Sequence, residues 1–325
     1  MSVRADRCGS SESPARGWRT GAPPQRLPCT GKANGRANFP SGILPLTLGS
    51  QGGNVKIALT GRGGVGKTTL TSLLAYTFAR QGREVLAIDA DPAPSLGSAL
   101  GFPESLLRDL HPVAEMRDLI AERTGTKPGQ YGSYFQLNPR VDDIPERFSA
   151  VHRGIRLLQL GSVEKKGGSG CFCAESTLLK ALVRHILFDL DEVVLLDFYA
   201  GVEHLGRATA DSVDAMLVLV EPTRRSLSTA AQIRDLARDI HLDRLFLVGS
   251  KTESAADADF IAAHSPGLPL LGCLSLDPKV READRSGLPP GDLSPTLAAE
   301  AAAILARLKW ELEFERRGRQ VEPVA

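Results

Sequence analysis

"GRGGVGKTT", Gly61 to Thr69, is the stretch on which the fold turns. Its spacing, G-x-x-x-x-G-K-[ST], is that of a phosphate-binding loop, and its neighbours give it the required setting between a strand and a helix. Before it runs "VKIALT", β-branched and apolar. After it, Leu70, Leu73, Leu74 and Phe78 recur at helical spacing, and Gly82 is placed to end that helix. Glycines let successive backbone N–H groups converge on phosphate oxygens, and the helix N-terminus adds partial positive charge. Gly61, Arg62, Gly63, Gly64, Val65 and Gly66 are therefore expected to wrap the phosphates of ATP. Lys67 is expected at the β- and γ-phosphates, the Thr68 hydroxyl on Mg²⁺, and Thr69 at the α-phosphate.

Working outward, "EVLAID", "VVLLD", "AMLVLV", "RLFLVGS" and "LPLLGC" alternate with segments of helical spacing. Such alternation predicts an α/β fold, a mostly parallel sheet with helices on both faces, as in P-loop NTPases. Open sheets of this kind bind ligands at the carboxyl ends of their strands. Two acidic sites fall there. "AIDADP" ends a strand with Asp89 and Asp91, and "VVLLDFYAG" ends another with Asp197, the expected support for magnesium. Strand-end aspartates also cap helices, so neither site decides anything alone. Joined to the phosphate loop, they indicate a nucleotide hydrolase.

The bulk numbers exclude other classes. A formal charge of +1 and a charged fraction of 24% argue against a dedicated nucleic-acid binder. No apolar run approaches the roughly 18 residues of a membrane helix. Five cysteines in 325 residues do not make a disulfide framework, and no secretory signal opens the chain, so a cytoplasmic protein is expected. Composition changes sharply near residue 54. Residues 1–54, rich in Arg, Gly, Ser and Pro, are expected to be a disordered extension in which Cys8 and Cys29 are incidental, and 55–320 a single ATPase domain.

"GSGCFCAES", 168–176, sets Cys171 and Cys173 one position apart. In extended chain they would face the same side. A disulfide between them would close a strained ring, and the pair could also be two unreactive small residues. A soft metal is the more natural partner, but two thiolates fill only half of a tetrahedral shell. Two copies of the chain across a two-fold axis would supply four sulfurs. Cys273, in "LLGCLSL", reads as a buried strand residue.

The doubled glycine before Val65-Gly66-Lys67-Thr68 resembles the deviant phosphate loop of the MinD/ParA class of dimeric ATPases. Within that class, "MRDLIAERTG" (116–125), "LNPRVDDIPERF" (137–148), "GSGCFCAESTLLKAL" (168–182), residues 200–230 and "DPKVREADRSG" (277–287) closely resemble the CooC-type ATPases that mature nickel carbon monoxide dehydrogenase. The resemblance begins near Val55. It implies a homodimer with Asp91 positioning the attacking water, Asp89 near magnesium, and Arg62 at the lysine position that reaches the partner's nucleotide. It also implies that Cys171 and Cys173 bind Ni²⁺ or Zn²⁺ at the dimer interface, with ATP-driven changes tied to nickel delivery.

This chain departs from the family's pattern at three places. Arg62 replaces the lysine and Tyr199 the usual acidic residue, and the base-reading Asn-Lys pair is Ser250-Lys251. Two rival readings are a spatial-regulator ATPase, which has no use for Cys-x-Cys, and an iron–sulfur electron-transfer ATPase, whose cysteines come from separate loops. The C-terminal "AAEAAAILARLKWELEFERRGR" is expected to be a packing helix using Leu305, Leu308, Trp310, Leu312 and Phe314. Its glutamates would repel anionic lipid, so no membrane partner is expected.

Overall fold

Strands that are apolar throughout need cover on both faces, and the computed structural model of the chain supplies it. The structure describes residues 55–126, 136–161, 173–198 and 213–320. Eight strands form one sheet: β1 (Lys56–Gly61), β2 (Val85–Ala90), β3 (Ala150–His152), β4 (Ile155–Gln159), β5 (Val193–Phe198), β6 (Ala215–Val220), β7 (Leu245–Thr252) and β8 (Leu270–Ser275). Their order is β3-β4-β2-β5-β1-β6-β7-β8. Every pairing is parallel except β3 with β4 at one edge.

Period-two alternation sends neighbouring residues of a strand to opposite faces. In β1, Ile57 and Leu59 pack with α1 (Lys67–Arg80) and α11 (Pro295–Gln320), through Leu70, Leu74, Phe78 and Leu308. Ala58 packs on the other face, where α6 (Cys173–Asp189) contributes Leu178, Leu182 and Ile186 and α7 (Arg224–Asp239) contributes Ile233. The shorter helices α2 (Leu96–Ala99), α3 (Glu104–Asp109), α4 (Arg117–Thr124) and α5 (Ile144–Phe148) follow β2 and precede β3. The remaining helices are α8 (Ala255–Ala263), α9 (Lys279–Ser286) and α10 (Pro290–Leu293). Leu74 is fully buried, and truncating such a side chain to alanine costs about 2–5 kcal/mol.

Gly82 does end α1. With φ at +73° it lets its own N–H reach Ala79 O (2.9 Å) and the Arg83 N–H reach Phe78 O (3.2 Å).

Two features differ from expectation. The β3–β4 hairpin turns on Arg153 and Gly154, both at positive φ (52° and 79°), the geometry of a tight two-residue turn. Arg153 then bonds both oxygens of Asp292 (2.7 and 3.4 Å), tying the hairpin to α10. On α11, Leu305, Leu308 and Leu312 are buried, but Trp310 and Phe314 are 43% and 63% exposed and stack on each other. Positions 310 and 314 share a face that the 305–308–312 stripe does not include. Among the described residues, no helix is long and apolar enough to cross a membrane. The expectation for residues 1–54 lies outside the described residues.

Candidate functional site

The site is built where β1 ends between β5 and β6. Gly61 leaves the strand at φ +145°, and a Cβ there would sit 2.6 Å from Leu219 O of β6. Only glycine fits so close to the neighbouring backbone. The Val65 N–H closes the loop onto Arg62 O (3.2 Å), while a Cβ on Gly63 or Gly64 would meet nothing within 4 Å. Gly66, at φ +102°, opens α1 with no side chain capping it. Leu70 is the first residue to bond back, to Gly66 O at 3.0 Å, so the N–H groups of Lys67, Thr68 and Thr69 have no intrahelical acceptor. These donors and the open glycines form a concave anion cradle.

Lys67 is buried beneath the loop. Its Nζ donates two long bonds, to Gly61 O (3.3 Å) and Arg62 O (3.4 Å). Burial lowers its pKa, and the Asp197 and Asp91 carboxylates partly offset this. An anion in the cradle is a far stronger partner for that ammonium than two distant carbonyls.

The acidic side completes the cation environment. The Thr68 Oγ1 donates to Asp197 Oδ2 at 2.6 Å and lies 3.4 Å from Ser95 Oγ. Asp197 is buried, its Oδ1 has no partner among the described residues, and burial pushes its carboxyl up to about 7. An orphaned carboxylate oxygen beside a threonine hydroxyl fits Mg²⁺, a hard cation that takes oxygen ligands. Asp89 is differently employed. Its Oδ2 accepts from the N–H groups of Ser95 and Leu96 (2.9 Å each) and its Oδ1 from that of Asp91 (3.1 Å). Burial still pushes it up to about 6. Rather than standing free beside a metal, Asp89 shapes the loop that carries Asp91. Asp91 is half-buried at the end of β2, with Oδ1 accepting from the Ala93 N–H (2.8 Å).

The two residues expected to read the base also contact the loop. Ser250 Oγ donates to Val65 O (2.7 Å). Lys251, at φ +55°, donates from Nζ to Gly64 O and to Glu221 Oε1, both at 2.7 Å. Glu221 was not marked by the sequence, although it directly follows the apolar run of β6, a position that could have marked it. Arg62 is exposed and makes no ion pair among the described residues; Thr69 is half-buried on the first turn of α1. Cys171 and Tyr199 lie outside the described residues. Cys173 opens α6, so the extended geometry expected of the cysteine pair does not continue past it. Cys273 is buried in β8, as expected. The structure thus gathers the phosphate loop, Asp89, Asp91, Asp197, Ser250 and Lys251 at one end of the sheet.

Comparison with known proteins agrees with this geometry. Residues 56–290 match the CobQ/CobB/MinD/ParA nucleotide binding domain. The chain is 45% identical to the carbon monoxide dehydrogenase accessory protein CooC of Rhodospirillum rubrum, over 78% of this chain and 96% of that protein. It is 41% identical to an uncharacterized ATP-binding protein of Methanocaldococcus jannaschii, over 72% of this chain and 90% of the relative. The fold is similar to that of the MinD cell division protein of Aquifex aeolicus, with a TM-score of 0.55 and 19% identity, covering 79% of this chain and 96% of that one.

Proposed function

This chain belongs to the CobQ/CobB/MinD/ParA nucleotide-binding family and is a phosphate-loop ATPase; from that premise we propose that it couples ATP hydrolysis to nickel delivery. The client is carbon monoxide dehydrogenase or a related nickel enzyme. The observation that carries this reading is the 45% identity to CooC through nearly all of that protein's length. A spatial regulator would share the fold but would not call for the Cys171-x-Cys173 motif.

The residues divide the work. Loop N–H groups and Lys67 bind the phosphates, and Thr68 and Asp197 would hold magnesium. That ion, when bound, neutralises charge on the β- and γ-phosphates. Asp91, held on the loop that Asp89 shapes, orients the attacking water. Ser250 and Lys251 keep the loop in its binding form, so the cradle costs little reorganisation when ATP arrives. In a homodimer Arg62 reaches the partner's nucleotide; its planar fork suits phosphate oxygens but is not equivalent to lysine. Nickel is cargo: Cys171 and Cys173 from two protomers form a four-sulfur site, which Zn²⁺ also suits. The protein works in the cytoplasm, where such thiols stay reduced.

Anaerobic titration with Ni²⁺ or Zn²⁺, with and without ATP and read together with oligomeric state, tests the proposal. One tightly bound metal per dimer is expected, lost when both cysteines become serine while ATP binding persists. One metal per monomer, retained in the double-serine variant, rules out the shared site and nickel delivery with it.

A further inference from the structure

The outer side of α6 carries a groove that no nucleotide-site residue lines. It runs between α6 and residues 137–142, with a volume of about 680 Å³. Two of its apolar side chains lie largely in solvent, Leu137 at 72% and Phe188 at 54% exposure. Arg184 covers the Phe188 ring at 5.7 Å. Adjacent exposed apolar groups inside a concave surface mark an interaction site more often than scattered ones do.

The charges of the groove are unevenly committed. Asp142 accepts both bonds of Arg140 (2.7 and 3.0 Å), and Asp189 is held by His185 Nδ1 (2.8 Å). Lys180 and Arg184 line the groove and make no ion pair among the described residues. Asp142 is matched by Arg140, and a hydrogen bond from His185 leaves the charge of Asp189 in place, so the two cations outweigh the one remaining anion.

We propose that this groove docks an acidic segment of a partner protein that also presents apolar side chains. Resting on the delivery reading above, the partner is the metal client. Carboxylates of the segment pair with Lys180 and Arg184, while its apolar side chains cover Phe188 and Leu137. Other occupants fit less well. A second copy packed symmetrically on the same face would set Lys180 and Arg184 against their own kind. The chain's residues 1–54 carry seven Lys or Arg against two acids, the same sign as the groove. Placement also favours a client: α6 begins at Cys173, so Lys180 and Arg184 lie only about 10–17 Å along the helix from the metal motif, at 1.5 Å per residue.

The test measures binding of metal-free carbon monoxide dehydrogenase to the immobilised protein by biolayer interferometry, in ATP and in ADP. Wild type, K180E/R184E and F188A are compared, with folding checked by circular dichroism. At least tenfold weaker binding by both variants is expected, with ATP hydrolysis and metal content unchanged and wild-type binding weakening as salt rises. Wild-type affinity retained by both variants overturns the groove and leaves nickel delivery standing. If wild type binds the enzyme in neither nucleotide state, the delivery reading and this partner fall together. Loss of the dimer in K180E/R184E assigns the groove to self-association and overturns the proposal.

Discussion

Replacing Asp197 by asparagine tests the electrostatics of the magnesium side. Burial pushes this carboxyl from 3.8 up to about 7. Between those values the folded chain holds a proton that the unfolded chain has released. The stability so gained is fully present below about pH 4 and is lost as pH rises through 7. Each unit of displacement is worth about 1.4 kcal/mol, so ionised Asp197 costs the nucleotide-free fold up to about 4 kcal/mol at pH 8. About 1–2 kcal/mol of that appears between pH 6 and pH 8. For a domain of this size that lowers the melting temperature by about 3–6 °C. Asparagine keeps an acceptor for the Thr68 hydroxyl and carries no charge. Asp89, displaced to about 6, titrates mainly below this window and does so in both proteins. Thermal unfolding in EDTA without nucleotide should show wild type losing those degrees relative to D197N, with the variant the more stable at pH 8. Mg–ATP should then stabilise wild type and not the variant. Parallel melting curves across pH 6–8, or a wild type that gains stability, would refute the buried-charge argument.

Lys67→Ala should weaken ATP binding by about 10–100-fold, the worth of a charge-assisted hydrogen bond, with the fold retained. Unchanged affinity by calorimetry would remove Lys67 from the phosphate site. Arg62→Ala should impair ATP-dependent dimerisation, followed by sedimentation, far more than nucleotide binding by the monomer, and lysine there should restore activity. Equal losses would confine Arg62 to its own subunit. Gly61→Ala should cost about 2–4 kcal/mol in urea unfolding, because its Cβ would lie 2.6 Å from Leu219 O in a backbone region L-residues avoid. A wild-type midpoint would show that the loop can move away from β6.

The central sheet was legible because its strands are apolar without alternation, and the phosphate loop because its glycines sit between a strand and a helix. The β3–β4 hairpin was not. Its turn is Arg153-Gly154, whereas the readable signal for two positive φ values is Asn-Gly or Asp-Gly. Asp89 and Asp91 were equally visible as strand-end acids, but sequence could not divide their labour. That division depends on a chain reversal bringing the Ser95 and Leu96 N–H groups onto Asp89. Likewise Ser250 and Lys251 were marked for the base. Only the placement of β6 beside both β1 and β7 shows them also contacting the loop, with Glu221 as the third member of the brace. Trp310 and Phe314 failed as core residues because aromatic content says less about burial than helical phase does.

The placement of β1 at the middle of the sheet also sets a timetable for synthesis. β1 and its loop leave the ribosome before either flanking strand exists, since Lys56 pairs with Val194 and Ile57 with Ala215. The hydroxyl of Ser250, which holds Val65, is made 185 positions after it. At the usual 5–20 residues per second, the glycine loop waits about 10–40 s for its support. A nascent chain stalled or cut before β7 would carry the whole nucleotide signature and yet lack the brace that shapes it. The enzyme therefore becomes competent for ATP late, once nearly all of its sheet has emerged, and fragments released early should not compete with it for nucleotide.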